Sequence, residues 1–275
     1  MAEFDARPLA ASDTVTVWDV ACPGERKHAS DEECATATHV VFPYRGVYVH
    51  HVGRAESVAE ANQVVFINEN EPYRVSHPVA GGDAALSIGV SAATLLELAP
   101  KEYLVRNGRA AFNRSRLRIG ADTQARTALL RHRLDRGAVA GLEAETLTLT
   151  LLRGALGHDT SPAAGGPGPQ KLVDRVKLVL AEDLSRRWTL ADIASAVGGS
   201  AVYLTQVFQQ LEGMPLYRYQ LRLRLGRALA LLGDRVDLTS LAFELGFSSH
   251  SHFSAAFRQA YGQTPSAFQR AARVR

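Results

Sequence analysis

Polar side chains that can hydrogen-bond to nucleic-acid bases recur on two short segments near the C-terminal end of the chain. Thr205 and Gln206 lie in the first segment, and His250, Ser251 and Ser254 lie in the second. Hydroxyl, amide and imidazole groups of this kind can bond to the base edges exposed in the DNA major groove. In both segments they are interleaved with apolar residues at helical spacing, so we expect them on the outer face of a short helix.

Each of the two segments is preceded by a predicted apolar helix and a glycine, so the chain contains two copies of one arrangement. The first copy contains Leu190, Ile193, Ala194, Val197, Gly198, Ser200, Leu204, Phe208 and Gly213. The second contains Leu238, Leu241, Ala242, Leu245, Gly246, Ser248, Phe253, Phe257 and Gly262. Thr189 and Asp237 are suited to cap the leading helices. The pattern predicts two helix-turn-helix units, which place a second helix in the major groove. The alternative is a plain six-helix bundle with solvated faces.

A long helix is predicted between the two copies, with Pro215 at its start and Gly233 at its end. About 17 residues at 1.5 Å each make a strut of roughly 25 Å, which suits two helices spaced about one DNA turn apart. Its arginines are expected either to contact phosphates or to form salt bridges within the bundle: Arg218, Arg222, Arg224 and Arg227.

The segment from about 171 to 270 resembles the DNA-binding domain of the AraC/XylS family of bacterial transcription regulators. The matching stretches are 190–198, 203–208, 241–247, 253–258 and 261–265. The resemblance implies double-stranded promoter DNA and RNA polymerase as partners, with activation of transcription. The resemblance implies base readers at Val202, Thr205, Gln206, His250, Ser251, Ser254 and Ala255. The predicted DNA-contacting set also includes Ser200, Ala201, Ser249 and Arg258. The chain departs from the family in having apolar Val202 and Ala255 at base-reading positions, where only a thymine methyl is available to them.

The distribution of charge agrees with this prediction. Residues 170–275 hold 14 Lys and Arg against 8 Asp and Glu, whereas residues 1–169 hold 17 against 20. The basic part is therefore the part with the duplicated motif, as attraction to phosphate requires. With only Cys22 and Cys34 and no long apolar run, the sequence predicts a cytoplasmic protein without a disulfide framework.

The remainder of the chain predicts a second domain of different class. Short apolar runs separated by turn residues predict a β-sandwich or barrel over 15–20, 39–42, 46–50, 63–67 and 86–90. Helical patterns follow at 94–98, 124–134 and 142–156. The order resembles the AraC-type N-terminal domain, a cupin-like β-barrel followed by helices. We therefore predict an α+β chain with a cupin-like sensor and dimerisation domain at 1–157, a Pro- and Gly-rich linker at 158–169, and an all-α double helix-turn-helix domain at 170–275.

Two stretches of the predicted barrel pair aromatic with cationic or imidazole side chains. The expected effector-binding residues are Tyr44, Arg45, Tyr48, Phe66, Tyr73, Arg74 and His77. Inside a barrel they would bind an anionic or polar small molecule. The alternative is that Arg45 and Arg74 form salt bridges with carboxylates such as Glu69 and Glu71.

The same domain offers residues for two alternative kinds of metal site. Cupin enzymes use a set of histidines and a carboxylate, for which the chain offers His39, His50, His51 and His77. The spacing around these residues breaks the cupin motifs, so no metal, cofactor or catalytic residue is predicted. A soft-metal or thiol sensor built from Cys22, His28, Cys34 and His39 is the second alternative; we favour small buried cysteines and surface histidines.

The predicted helices before the linker carry more leucines than one apolar face needs. These are Leu129, Leu130, Leu134, Leu147, Leu149, Leu151 and Leu152. A helix that is apolar on more than one side usually has a second partner, so we predict a homodimer through these helices. The alternative is that both leucine sets pack on the barrel of their own chain.

Overall fold

The computed structural model describes residues 4–24, 28–106, 108–157, 166–234 and 237–273. The strands within these residues are β1 Asp5–Ala11, β2 Val15–Cys22, β3 Glu33–Cys34, β4 Thr38–Arg45, β5 Tyr48–Val52, β6 Ala55–Ala59, β7 Gln63–Ile67, β8 Pro72–Ser76, β9 Asp83–Val90 and β10 Arg116–Arg118. The helices are α1 Ala92–Leu98, α2 Ala121–Asp135, α3 Gly141–Leu156, α4 Pro167–Glu182, α5 Leu190–Val197, α6 Ala201–Glu212, α7 Leu216–Leu232, α8 Leu238–Glu244, α9 His250–Tyr261 and α10 Pro265–Arg273, with a short 3-10 helix at Lys101–Tyr103.

The strands form two sheets, which confirms the predicted β-rich N-terminal region. The larger sheet has the order β1-β2-β9-β4-β7-β10, and the smaller has the order β3-β8-β5-β6. All eight residues of β9 are buried, because this central strand is covered on both faces. The five predicted runs correspond to β2, β4, β5, β7 and β9. Edge strand β1 was not predicted, since it is largely exposed and lacks a clear apolar alternation.

The helices after the sheets contact both domains. Leu130, Leu134, Leu151 and Leu152 are buried in the core that the larger sheet shares with α2 and α3. Ala128 of α2 instead belongs to a core formed with α7 to α10, and Leu129 packs against that same core. Helix α2 is therefore shared between the barrel and the C-terminal helices.

The C-terminal helices form two apolar cores that match the two predicted units. The first surrounds Phe208 and joins α4, α5 and α6 to the first half of α7. The second surrounds Phe257 and joins the remainder of α7 to α8, α9 and α10. Phe208 and Phe257 are 1 % and 0 % exposed, which confirms their expected burial at equivalent positions.

The predicted linker needs a correction at its C-terminal end. Helix α4 begins at Pro167, so residues 167–169 are helical rather than part of a linker. Proline is compatible with a first helical turn, because its missing N–H would have no partner there. Residues 158–165 lie outside the described residues.

The two domains are in contact along an extended surface. Helix α4 packs on β6, and α2 packs on α7, α9 and α10. Among the described residues, no helix is both long enough and apolar enough to cross a membrane.

Candidate nucleic-acid interface and ligand cavity

The first recognition helix is α6. Thr189 caps the preceding helix α5 through a reciprocal pair of hydrogen bonds with Asp192. Gly198 follows α5 with φ +68°, a left-handed backbone that favours glycine. Ser200 then caps α6 by accepting from the Tyr203 amide. The predicted readers Val202, Thr205 and Gln206 are exposed, and Ala201 is half-buried.

Helix α9 repeats this arrangement. Asp237 caps α8, and Ser249 caps α9 by accepting from the His252 amide. The side chains of His250, Ser251, Ala255 and Arg258 are exposed, and that of Ser254 is half-buried. The second helix of each unit therefore presents the predicted contact residues outward. The inner faces of these helices are buried in the cores through Phe208 and Phe257.

One arginine links the loop before α5 to the turn of the second unit. Arg224 on α7 donates to the carbonyls of Leu184, Ser185 and Arg186 before α5, and also to the carbonyl of Gly246 in the second turn. Gly246 lies against the Ser185 backbone, so a side chain there would clash. Arg222 donates to the Ile119 carbonyl, at 2.7 Å. These two arginines bind the chain's own backbone, which is neither of the two expected arrangements.

The N-terminal domain contains a cavity of about 750 Å³ between the two sheets. Aromatic walls are formed by Trp18, Tyr48 and Tyr73. The polar groups on its surface include His39, His77, Asp83 and Ser87, together with the thiol-bearing residues Cys22 and Cys34. Such a size and mixture of apolar walls and a few polar groups is typical of small-molecule sites.

Three of the seven expected effector residues line this cavity, namely Tyr48, Tyr73 and His77. The other four do not line it. Phe66 stacks on Phe112 in the core at 3.8 Å between ring centroids. Tyr44 donates to Asp19 at 2.6 Å and lies under the Arg131 guanidinium.

The two arginines are also placed elsewhere. Arg45 donates to the Asp83 carbonyl at 3.0 Å, and Arg74 lies 3.5 Å from the Glu32 carboxylate on the surface. The expected partners Glu69 and Glu71 are not involved in either contact. Neither arginine lines the cavity, so the anion-binding argument that rested on them is corrected.

The histidines expected for a cupin-type metal site are dispersed. His39 lines the cavity, with Nδ1 at 2.9 Å from the Ser87 hydroxyl. His50 is buried beside Tyr73, whereas His51 on the same strand lies beside Ser76. These opposite faces are those expected for neighbours on a strand. Among the described residues, Cys22, His28, Cys34 and His39 do not form a metal-binding group; Cys22 instead meets His77 and Asp83.

The leucine-rich helices need a correction as a dimerisation surface. The second apolar side of α2, which includes Leu129, packs on the C-terminal helices of the same chain. Leu147 and Leu149 of α3 pack against the barrel core. Six of the seven leucines therefore pack on the barrel of their own chain, as the alternative expected, and only Leu129 packs on the C-terminal helices, which neither alternative included.

Comparison with known proteins agrees with the arrangement of α5 to α10. Residues 193–271 match the family model of a helix-turn-helix domain. The HTH-type transcriptional activator RhaR of Klebsiella pneumoniae is 33% identical over 138 residues, which cover 50% of this chain and 48% of that protein. The uncharacterized HTH-type transcriptional regulator YidL of Escherichia coli is 33% identical over 107 residues, 38% of this chain and 36% of that protein. The matched segment therefore spans less than half of each of these relatives.

Solved structures include a similar transcriptional regulator with an AraC-type DNA-binding domain from Chromobacterium violaceum. It is 29% identical, with a TM-score of 0.37, and covers 39% of this chain and 96% of that one. ToxT from Vibrio cholerae is 12% identical, with a TM-score of 0.40, and covers 96% of this chain and 99% of that one. The duplicated motif, the geometry of its two units and the sequence matches together show that the C-terminal domain is a helix-turn-helix domain similar to those of HTH-type transcription regulators such as RhaR.

Proposed function

We propose that this protein is a transcription regulator that binds promoter DNA through α6 and α9 and responds to a small molecule held in the N-terminal cavity. The observation that supports DNA binding best is the matched exposure of the two second helices, each capped by a serine and each with its inner face buried. The basic charge balance of residues 170–275 favours the same partner.

The proposed DNA-contacting residues are Ser200, Ala201, Val202, Thr205, Gln206, Ser249, His250, Ser251, Ser254, Ala255 and Arg258. Gln206 is suited to a bidentate contact with adenine, and Arg258 to guanine or phosphate. The capping serines use their hydroxyls within the helices, so their contribution comes from placing the helix N-termini near phosphate.

The cavity supports an effector with an apolar or aromatic body and a few polar groups. Trp18, Tyr48 and Tyr73 offer the aromatic surface, and His39, His77 and Ser87 offer hydrogen bonds. In this proposal the domains are 1–157 and 167–275, the protein acts in the cytoplasm without catalysis, and it contacts RNA polymerase as an activator. Homodimerisation is also proposed, because a dimer would present four helix-turn-helix units to paired DNA half-sites.

DNA recognition is tested with a site selected from a random-sequence library by the full chain. Gln206→Ala should weaken binding to that site by about 1–3 kcal/mol and change binding to unrelated DNA much less. Gln210→Ala is the matched control, since Gln210 is an exposed glutamine on the same helix outside the proposed contact set. Equal losses on both DNAs for Gln206→Ala would show that this side chain does not read a base.

A further inference from the structure

Three potential metal ligands from two separate parts of the sequence meet at one end of the cavity. Cys22 Sγ, one ring nitrogen of His77 and one carboxylate oxygen of Asp83 all lie within 4.8 Å of one another. His77 and Asp83 are 6% and 7% exposed, and Cys22 is half-buried. All three residues line the cavity.

The fold brings these side chains together by strand register. Cys22 and Asp83 are paired residues of neighbouring antiparallel strands β2 and β9. Directly paired residues project to the same face of a sheet, with Cβ atoms about 4.5–5.5 Å apart. His77 directly follows β8 of the smaller sheet and is the third member of the group. Its Nε2 lies 2.6 Å from the Asp83 carboxylate.

Two glycines allow the supporting loops to approach closely enough. Gly24 and Gly82 have φ values of +73° and +66°, and a side chain on either would clash with the backbone of the other loop. The ends of β2 and β9 therefore pack backbone to backbone just beside the three side chains. This close packing holds the thiol and the carboxylate in place, which favours preorganised binding.

We propose that Cys22, His77 and Asp83 bind a divalent transition metal, with Zn²⁺ as the reference ion, and leave its fourth coordination position open to the cavity. Thiolate, imidazole and carboxylate are the ligands that zinc uses in proteins, at about 2.0–2.3 Å. At those bond lengths, tetrahedral ligand atoms stand about 3.3–3.6 Å apart. The three side chains reach that spacing through small rotations, with the ion replacing the hydrogen bond between His77 and Asp83.

The charge of the site agrees with a bound cation. Asp83 is a buried carboxylate, and its neighbour Arg45 is hydrogen-bonded to the Asp83 backbone carbonyl. A buried carboxylate is costly unless a cation or strong hydrogen bonds compensate for it. An ion bound by His77 and Asp83 supplies that compensation. Three protein ligands with one open position is the arrangement of exchangeable zinc sites, so a ligand in the cavity could reach the metal directly.

Direct metal titration of the metal-free full chain tests the proposal. Zn²⁺ alone is titrated against a competing chelator, and Co²⁺ is used as a spectroscopic probe because a thiolate ligand gives a charge-transfer band. We expect one Zn²⁺ per chain and a thiolate–Co²⁺ band. Cys22→Ser should abolish the band and weaken Zn²⁺ binding by more than about 100-fold, beyond the loss typical of supporting residues. Cys34→Ser, which removes the other thiol on the cavity wall, should leave both unchanged.

Asp83→Asn provides a second test that keeps the shape of the site. It should weaken Zn²⁺ binding while the thermal melting curve shows a folded protein, which separates ligand loss from misfolding. The proposal is overturned if the full chain takes up no stoichiometric Zn²⁺, or if Cys22→Ser binds it as tightly as the parent. The inference rests on the cavity of the proposed function and not on DNA binding. A chain that binds selected DNA but no zinc would overturn this site alone, and a chain that binds zinc but no DNA would overturn the regulator.

Discussion

The two helix-turn-helix units are alike inside and are attached to the N-terminal domain by different means. The first unit meets the barrel at the buried Glu60 carboxylate: Tyr219 donates to Glu60 at 2.5 Å, and the Lys177 ammonium, which lies 2.7 Å from Glu212 of its own unit, is close to the same carboxylate. The second unit meets α2 through an apolar contact that includes Ala128 and Leu129. Similar sequence motifs thus do not imply similar interfaces.

The difference matters because the two kinds of contact tolerate separation differently. Apolar surfaces associate without strict geometry, and their stability grows with the area buried. Buried ions bind strongly only in one geometry, and removal of one partner leaves an uncompensated charge. Burial raises the pKa of Glu60, and the nearby Lys177 opposes that shift. Both attachments also contain contacts of the other kind: Leu178 and Ala181 of α4 pack on an apolar cluster of the barrel, and His132 bonds to the Leu229 carbonyl. The buried charged groups are what distinguish the first attachment, and they add a strict geometry to it.

The largest effect should come from breaking the buried ion cluster. Lys177→Met leaves the buried carboxylates of Glu212 and Glu60 without their cation, so it should lower the free energy of unfolding by about 3–5 kcal/mol. The double variant Lys177→Met/Glu212→Leu should recover part of that loss, because an apolar pair can replace a buried ion pair, whereas Glu60 still lacks its cation. Urea unfolding of the full chain measures both. A single variant as stable as the parent would show that the cluster does not hold the first unit.

The two cores should respond similarly despite their different attachments. Phe208→Ala and Phe257→Ala should each cost about 3–5 kcal/mol, because each leaves a cavity in a closed apolar core. Phe257 is surrounded by the rings of Phe253, Tyr261 and Phe268, so its loss should be at least as large. Phe243→Ala is the control: Phe243 is 57% exposed, and its replacement should change stability by less than about 0.5 kcal/mol. An unchanged melting temperature for Phe257→Ala would contradict the duplicated fold.

A smaller effect should follow from crowding the apolar attachment. Gly233 ends α7 against the ring of His132 on α2, and an added Cβ would clash with that ring. Gly233→Ala should therefore destabilise the protein by about 1–3 kcal/mol through overpacking. Gly154→Ala in α3 has room for a methyl group and serves as the matched control. Equal stability of the two variants would indicate that α2 and α7 separate easily.

The smallest effect concerns pH at the same contact. Burial, followed by the positive charge of Arg131, lowers the pKa of His132, whose Nε2–H donates to the Leu229 carbonyl at 2.9 Å. The unfolded state then binds the proton more readily than the folded state. The stabilisation is full above the unfolded pKa of about 6.5 and is lost as pH falls below it.

Parallel urea titrations of the parent and His132→Gln at pH 8 and pH 5 measure this contribution. The parent should lose more stability on acidification than His132→Gln, which cannot be protonated. Other buried histidines, such as His50 with its pKa lowered to about 4, contribute equally to both proteins and cancel in the difference. Identical losses of stability in the two proteins would show that His132 does not contribute to the pH dependence.

The duplicated C-terminal fold was predictable because its signals are local. A capping residue such as Thr189, a turn glycine such as Gly198 and an apolar face repeat within about twenty residues, and each acts on its own helix. The pattern was strong enough to place Phe208 and Phe257 in the two cores. The outward positions of Gln206 and His250 followed from the same periodicity.

The sequence by itself determined the class of each domain, the two helix-turn-helix units and the side chains they expose. Only the tertiary structure decided which residues share the cavity, what covers the second side of α2 and how Cys22 reaches His77 and Asp83. The physical reason is range: helix patterns and caps depend on neighbours within a few turns, whereas strand register and domain docking depend on contacts between residues far apart in the chain. Edge strands and buried ion clusters have no local periodicity, so they cannot be predicted from a single sequence.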